Sequence, residues 1–212
     1  MKFVSKGNEP DSFRDWKSTA DENWQPTYDA LQNPEKRDLH RALLNEQGFV
    51  CCYCGRSIDL GDSHIEHFRP QEKREDLALD FSNLHCSCIR GNMPGIPLHC
   101  GHRKGSNFDE DLYVSPIEAG CEQRFRYTLV GEVLALDARA AYMTTLLGLD
   151  IEFLRNRRKD AMEGVFDDDF LTSATHQELT AIRDRFRQVD QGVLPSFGHV
   201  LARYAEQLLE QS

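Results

Sequence analysis

Gly61 to Gln71 reads GDSHIEHFRPQ, which sets two histidines and a glutamate within four residues and follows them with Arg69 and Pro70. SHIEHF has the length and composition of a short strand. In a strand successive side chains alternate faces, so His64 and Glu66 share one side and His67 faces the other. A carboxylate suits a hard divalent cation. A neutral imidazole near its unperturbed pKa of about 6.5 suits a base that activates water. Taken alone, the segment is equally a polar strand whose histidines only form hydrogen bonds. Its neighbours bear on the choice: VCCYCG lies upstream, and SNLHCSCIR and LHCGHRKGSN lie downstream.

The cysteines come next. The chain has 7, an odd number, and its first residues, MKFVSKGNEPDS, hold no signal-like apolar stretch. That combination points to metal binding rather than disulfides, and to a cytoplasmic setting. Cys51 and Cys54 have the C-x-x-C spacing whose turn aims two thiolates at one tetrahedral ion. A structural zinc needs two more ligands, for which Cys88 and Cys100 are the best candidates. Cys86 replaces Cys88 only if its strand slips in register, and Cys52 points away from the turn. The second pair lacks the tight spacing, so buried free thiols acting as small hydrophobes stay open.

Composition sets the outer limits. With 212 residues, 40% of them hydrophobic and 28% charged, the chain buries a core without help from disulfides. No run of about 18 apolar residues exists, which excludes a helical membrane span. The net charge of -10 argues against indiscriminate phosphate binding. That charge is uneven: Phe81 to Phe108 holds no Asp or Glu but includes Arg90, Arg103 and Lys104.

Along the chain, the first thirty residues read as an irregular arm. NPEKRDLHRALLNEQG reads as a helix with Asn33 as cap, Pro34 at its first position and Gly48 at its end. FVCCYCG reads as a strand entering a cysteine turn, FSNLHCSC as the approach to another strand, and HRKGSN as the edge of a short helix. EQRFRYTLVGEVLAL carries a hairpin signal around Gly131. Helical periodicity then dominates: DIEFLRNRRKDAMEGVF, SATHQELTAIRDRFRQV with a Thr175/Glu178 capping box, and PSFGHVLARYAEQLLEQ. The second helix is read with Leu179, Ile182, Phe186 and Val189 on its apolar face. The expectation is an α+β protein. Residues 1–110 hold the arm, a helix and the cysteine-rich core; residues 111–212 hold a hairpin and a helical region.

The ordered parts CCYC, IEHFRP, SNL, CSC and CGHRK resemble an HNH endonuclease, over about a quarter of the chain. HIEHFRP together with the helical LLGLDIEFLRNRRKD is similar to the HNH nuclease subunit of Septu-type and retron-associated antiphage systems. That extends the resemblance over most of the sequence.

The resemblance implies a ββα-metal finger beside a structural zinc. It implies that Glu66 binds a catalytic Mg²⁺ or Mn²⁺, that His67 is the general base, and that Asn83 orients the His67 ring. The family's last metal ligand falls on Gly101 here, so His102 is the nearest candidate, with His64 and Asn92 behind it. Arg69, Arg103 and Lys104 are candidate phosphate contacts. RNRRK, Arg155 to Lys159, is a second basic patch, more often a solvated helix face. An ATPase of the SMC or ABC type is the partner the resemblance implies, docking on the helical region. The competing reading is a zinc-stapled adaptor that binds protein or nucleic acid without cutting. Glu66, His67 and Asn83 weigh against it, because a binding module has no need of that set.

Overall fold

The computed structural model describes residues 1–91 and 94–211. Its order is α1 (Asp11–Lys17), α2 (Glu35–Glu46), β1 (Ser63–His67), β2 (Leu84–Cys88), α3 (Cys100–Lys104), β3 (Phe125–Tyr127), β4 (Val133–Ala135), α4 (Ala138–Leu147), α5 (Glu152–Glu163), α6 (Asp168–Ser173), α7 (His176–Arg187) and α8 (Gly198–Leu209). Among the described residues the strands form two antiparallel pairs, β1–β2 and β3–β4. No helix of the described residues is long and apolar enough to cross a membrane. Asn92, the reserve ligand candidate, lies outside the described residues.

α2 buries Leu39, Leu43 and Leu44 completely. Pro34, not Asn33, is its N-cap residue, and no side chain caps it. Gly48 follows with φ +64, the left-handed turn that ends the helix at low steric cost. The N-terminal arm is more ordered than its sequence suggests. Phe13 of α1 is fully buried, and Trp16 takes Trp24 edge-on at 5.8 Å between ring centroids. The FVCCYCG strand reduces to a single bridge between Val50 and Ser57. The capping box forms as read, with Thr175 and Glu178 each satisfying the other's backbone N–H. Val189 lies beyond the end of α7 and is 59% exposed, so it does not extend that helix's apolar face.

Each hairpin has an edge closed by a glutamine. Gln47, just past α2, accepts from Cys86 N at 2.7 Å and donates to Cys86 O at 2.9 Å. Gln207 of α8 accepts from Tyr127 N at 2.8 Å and donates to Tyr127 O at 2.9 Å. A carboxamide carries one acceptor and two donors, so it can substitute for a neighbouring strand. One apolar cluster runs through both halves of the chain, from Met1 and Phe13 through Leu84 and Phe125 to Ala205.

α8 also holds the cysteine turn in place. Phe197 N donates to Gly55 O at 2.7 Å. A Cβ on Gly55, which has φ +74, would come within 2.2 Å of His199 Cε1. Only glycine fits here.

Burial holds several histidines neutral. It pushes His85 down to about 3 and His40 to about 4, and His199 well below the ordinary value of 6.5. The unfolded chain takes up these protons first, so stability falls as pH drops through the unfolded value and is flat above it. At pH 5 the loss from His85 alone is about 2 kcal/mol. A lower urea midpoint at pH 5 than at pH 7.5 is expected; equal midpoints would contradict neutral burial.

Candidate active site and metal centre

The β1–β2 pairing sets Ser63 opposite Cys88 and Glu66 opposite His85. α3 starts on Cys100 and leans on β2 through a hydrogen bond from Gly101 N to Ser87 Oγ at 3.1 Å. β1, β2 and α3 thus form a two-strand-and-helix unit, and the whole is an α+β protein.

The Sγ atoms of Cys51, Cys54, Cys88 and Cys100 lie within 4.8 Å of one another, and all four residues are buried. A tetrahedral zinc with bonds of about 2.3 Å places its sulfurs about 3.8 Å apart; Cys54 and Cys88 are 3.8 Å apart. The donor set and spacing suit zinc. Burial opposes charge here, yet hydrogen bonds from the neighbouring thiols pull Cys51 well below the usual thiol range. Cys88 N approaches Cys51 Sγ at 3.4 Å, as a donor would to a thiolate. His99, which the sequence reading missed, is fully buried with Nδ1 3.4 Å from Cys88 Sγ. Its ring lies 5.6 Å from Phe153 of α5. Cys52, Cys86 and Cys121 are buried outside the cluster.

Beside this staple, Glu66 and His67 both line a cleft of 280 Å³, together with His64, Gly101, His102 and Lys104. Glu66 is 6% exposed. Its Oε1 accepts from Tyr53 Oη at 2.9 Å and pairs with Lys104 Nζ at 2.5 Å. Its Oε2 faces His64 Nε2 at 3.1 Å. Burial raises a carboxyl pKa, but Lys104 and His64 outweigh it and hold Glu66 at about 2, so it is a carboxylate at neutral pH.

His67 has one nitrogen committed: Nε2 donates to Ala78 O at 3.0 Å. The neutral ring therefore carries its lone pair on Nδ1. Burial lowers the His67 pKa, which keeps the imidazole unprotonated at neutral pH. Tyr28 packs edge-on against the ring at 4.4 Å.

Three expectations need correction. Asn83 does not hold the His67 ring. Its carboxamide accepts from Arg69 N at 2.8 Å and donates to Arg69 O at 3.0 Å and Leu77 O at 3.1 Å. It laces the loop whose next carbonyl, Ala78 O, holds the ring. Lys104 is not a phosphate contact: it is 1% exposed, and its ammonium serves Glu66, His67 O and Phe68 O. His102 does not converge on Glu66. Its Nε2 donates to Ile89 O at 2.8 Å. Among the described residues the four cysteine sulfurs are the one set of three or more such ligand atoms gathered closely enough for one ion.

The imidazole beside Glu66 is that of His64. A Cβ on Gly101 would lie 2.3 Å from Glu66 Oε2 and 2.7 Å from His64 Nε2. Any side chain on the helix there would occupy the space His64 fills from the strand. His64 Nδ1 donates to Ile89 O at 2.7 Å, fixing its tautomer and turning Nε2 toward the carboxylate. Ile89 accepts from both histidines while held at φ +71, a genuine outlier for a β-branched residue. Burial opposes protonation of His64, but the Glu66 hydrogen bond and charge raise its pKa. Two lone pairs 3.1 Å apart repel unless a proton or a cation lies between them.

No family model matches the chain. A curated relative is 26% identical over 161 residues, covering 71% of this chain and 75% of the relative. It is described as "Retron Vc95 putative HNH endonuclease", from Vibrio cholerae serotype O1 biovar El Tor. The likeness is to HNH endonucleases. The relation supports a nuclease at the level of family, and the four-cysteine cluster is compatible with a zinc-stapled HNH fold.

The remaining basic candidates differ in how free they are. Arg69 donates to Glu110 at 2.7 and 3.0 Å. Arg103 is exposed, its stem lying over Gly148, and forms no ion pair among the described residues. The RNRRK patch is mostly occupied: Arg155 pairs with Asp150, Lys159 with Glu163, and Arg158 is buried, donating to Gly131 O and Leu149 O. The sequence did contain the signal for Lys104. It stands four residues after Cys100 on one helix, so it shares that residue's inward face.

Proposed function

We propose that the protein is a metal-dependent HNH endonuclease that hydrolyses DNA phosphodiester bonds. The observation that carries this reading is the adjacency of Glu66 and His67 on β1, both opening on one cleft, with the free lone pair of His67 on Nδ1. His67 Nδ1 accepts a proton from water as the water oxygen bonds to phosphorus and the bond to the leaving sugar oxygen breaks. Asn83, through the Leu77–Ala78 backbone, is a positioning residue for that ring. Glu66 and His64 would hold a Mg²⁺ or Mn²⁺ ion. When bound, that ion supplies Lewis-acid stabilisation of charge on the phosphate and the departing oxygen. Lys104 and Tyr53 fix one oxygen of Glu66 and leave the other facing the cleft. Arg103 is the free phosphate contact, and zinc on the four cysteines is structural.

The retron in the relative's description supports an antiphage setting. An ATPase of the SMC or ABC type would dock on the region after about residue 135 and supply the control an acidic nuclease needs. The test is nicking of supercoiled plasmid with Mn²⁺, alone and with a co-expressed ATPase encoded beside the gene. Mn²⁺ binding is followed in parallel by electron paramagnetic resonance. Cleavage stopped by chelation is expected, with His64→Ala weakening Mn²⁺ binding about 10-fold or more and His102→Ala much less. Full Mn²⁺ affinity in His64→Ala would remove His64 from the ligand set. Absence of an ATPase that co-purifies would remove the partner.

A further inference from the structure

Most of the lysines and arginines are held in ion pairs, as befits a chain with a net charge of -10. Among the described residues Lys36, Arg37 and Arg90 are in none, and the three line one groove of 460 Å³ between α2 and β1. No carboxylate lines it; Glu35 and Asp38 of the same helix are not among its walls. Of its two histidines, His40 is held neutral by burial and bonds Ser63 Oγ at 2.8 Å, and His64 turns its Nε2 to Glu66.

The groove is continuous with the cleft, because His64 and Ile65 line both. Tyr28 links it to the proposed base: its ring takes the Lys36 ammonium at 4.8 Å and the His67 ring at 4.4 Å. On the other flank of Tyr28 lies a cavity of 470 Å³ walled by Asp29, Glu72, Glu75 and Asp76. One side of the site therefore attracts a polyanion and the other repels it.

We propose that the α2–β1 groove carries the sugar–phosphate backbone of the DNA substrate to the cleft, with Lys36, Arg37 and Arg90 as phosphate contacts. The inference rests on the nuclease reading for its ligand, and it adds the path the strand takes. Exposed cations without carboxylate partners release counterions on meeting phosphates, and each contact adds about one to the salt dependence of duplex binding. Such contacts position the substrate and carry no sequence preference.

The test measures anisotropy of a fluorescein-labelled DNA duplex against the full chain carrying His67→Ala, across a salt series beginning at low ionic strength. Arg37→Gln with Arg90→Gln is compared with Arg157→Gln plus Arg185→Gln, a control pair that removes equal charge from α5 and α7. The groove pair is expected to weaken binding by about 10-fold or more and to lower the salt slope by about two. The control pair is expected to change affinity less than about 2-fold. Equal losses in both pairs, no loss in the groove pair, or no duplex binding by the parent at any salt would each overturn the groove. If the groove pair alone loses affinity while His67→Ala, as a single substitution, leaves plasmid cutting undiminished, the catalytic reading falls and the groove stands.

Discussion

His67→Ala is expected to slow Mn²⁺-dependent plasmid nicking by a factor of about 10² to 10⁴, the range that one general base contributes. The fold should survive, because the ring is half-buried and makes one hydrogen bond, to Ala78 O. A melting temperature close to that of the unmodified chain, with unchanged zinc content, separates lost chemistry from lost structure. Asn83→Ala makes a useful contrast. That side chain is 3% exposed and makes three hydrogen bonds to the loop, so its removal should cost both rate and stability. Buried groups left without partners cost about 1–3 kcal/mol each. Undiminished nicking by His67→Ala would end its assignment as the base. A rate loss accompanied by an equal fall in melting temperature would reassign it to a structural role.

Much of this site was legible because strand alternation and cysteine spacing are local properties. SHIEHF reads as a strand and FSNLHCSC as the approach to one, and Ser63–His67 pairs with Leu84–Cys88. Cys88 and Cys100 gather with the C-x-x-C pair although their own spacing is loose. Errors arose where one residue's role depends on the space another leaves. His64 could not be preferred to His102 from order alone. The preference comes from the room at Gly101 and from the Ile89 carbonyl, which engages the only described contact of His102 Nε2 and fixes the tautomer of His64. Lys104 was read from its basic run, although its helical spacing from Cys100 places it inward. α1 escaped because a seven-residue helix has too few turns to show a period; it is held by burial of Phe13.

The acidic total charge also changes meaning once side chains are placed. Carboxylates neutralise most of the basic residues, so net charge says little about where phosphates can bind. What matters is which cations lack partners, and Lys36, Arg37 and Arg90 meet at the edge of the cleft. In an acidic chain, unpaired cations gathered in one groove favour association there over the carboxylate-rich surface.

Removing the ion implied by the four cysteines should have the largest effect on the protein as a whole. Structural zinc contributes an apparent binding free energy of about 10–16 kcal/mol in small cysteine and histidine sites. A typical domain is stable by about 5–15 kcal/mol in all. The zinc contribution is thus comparable to the whole stability, and the ion-free chain should lose the cysteine turn, β2 and the start of α3 together. Cys100 makes the dependence sharper: it begins α3 with φ +55, a conformation that a non-glycine residue adopts only when something holds it. Elemental analysis should find one zinc per chain, lost in Cys88→Ser along with the cooperative thermal transition. Cys52→Ala and Cys86→Ala are the controls, since both thiols are buried but stand outside the cluster; they should retain zinc. A Cys88→Ser protein that melts like the parent, with no zinc in either, would reduce the four thiols to small core residues. The positioning of Glu66 and His67 would then rest on the β1–β2 ladder, Gln47 and α8, with Tyr53 and Lys104 on the carboxylate and Ala78 O on the ring.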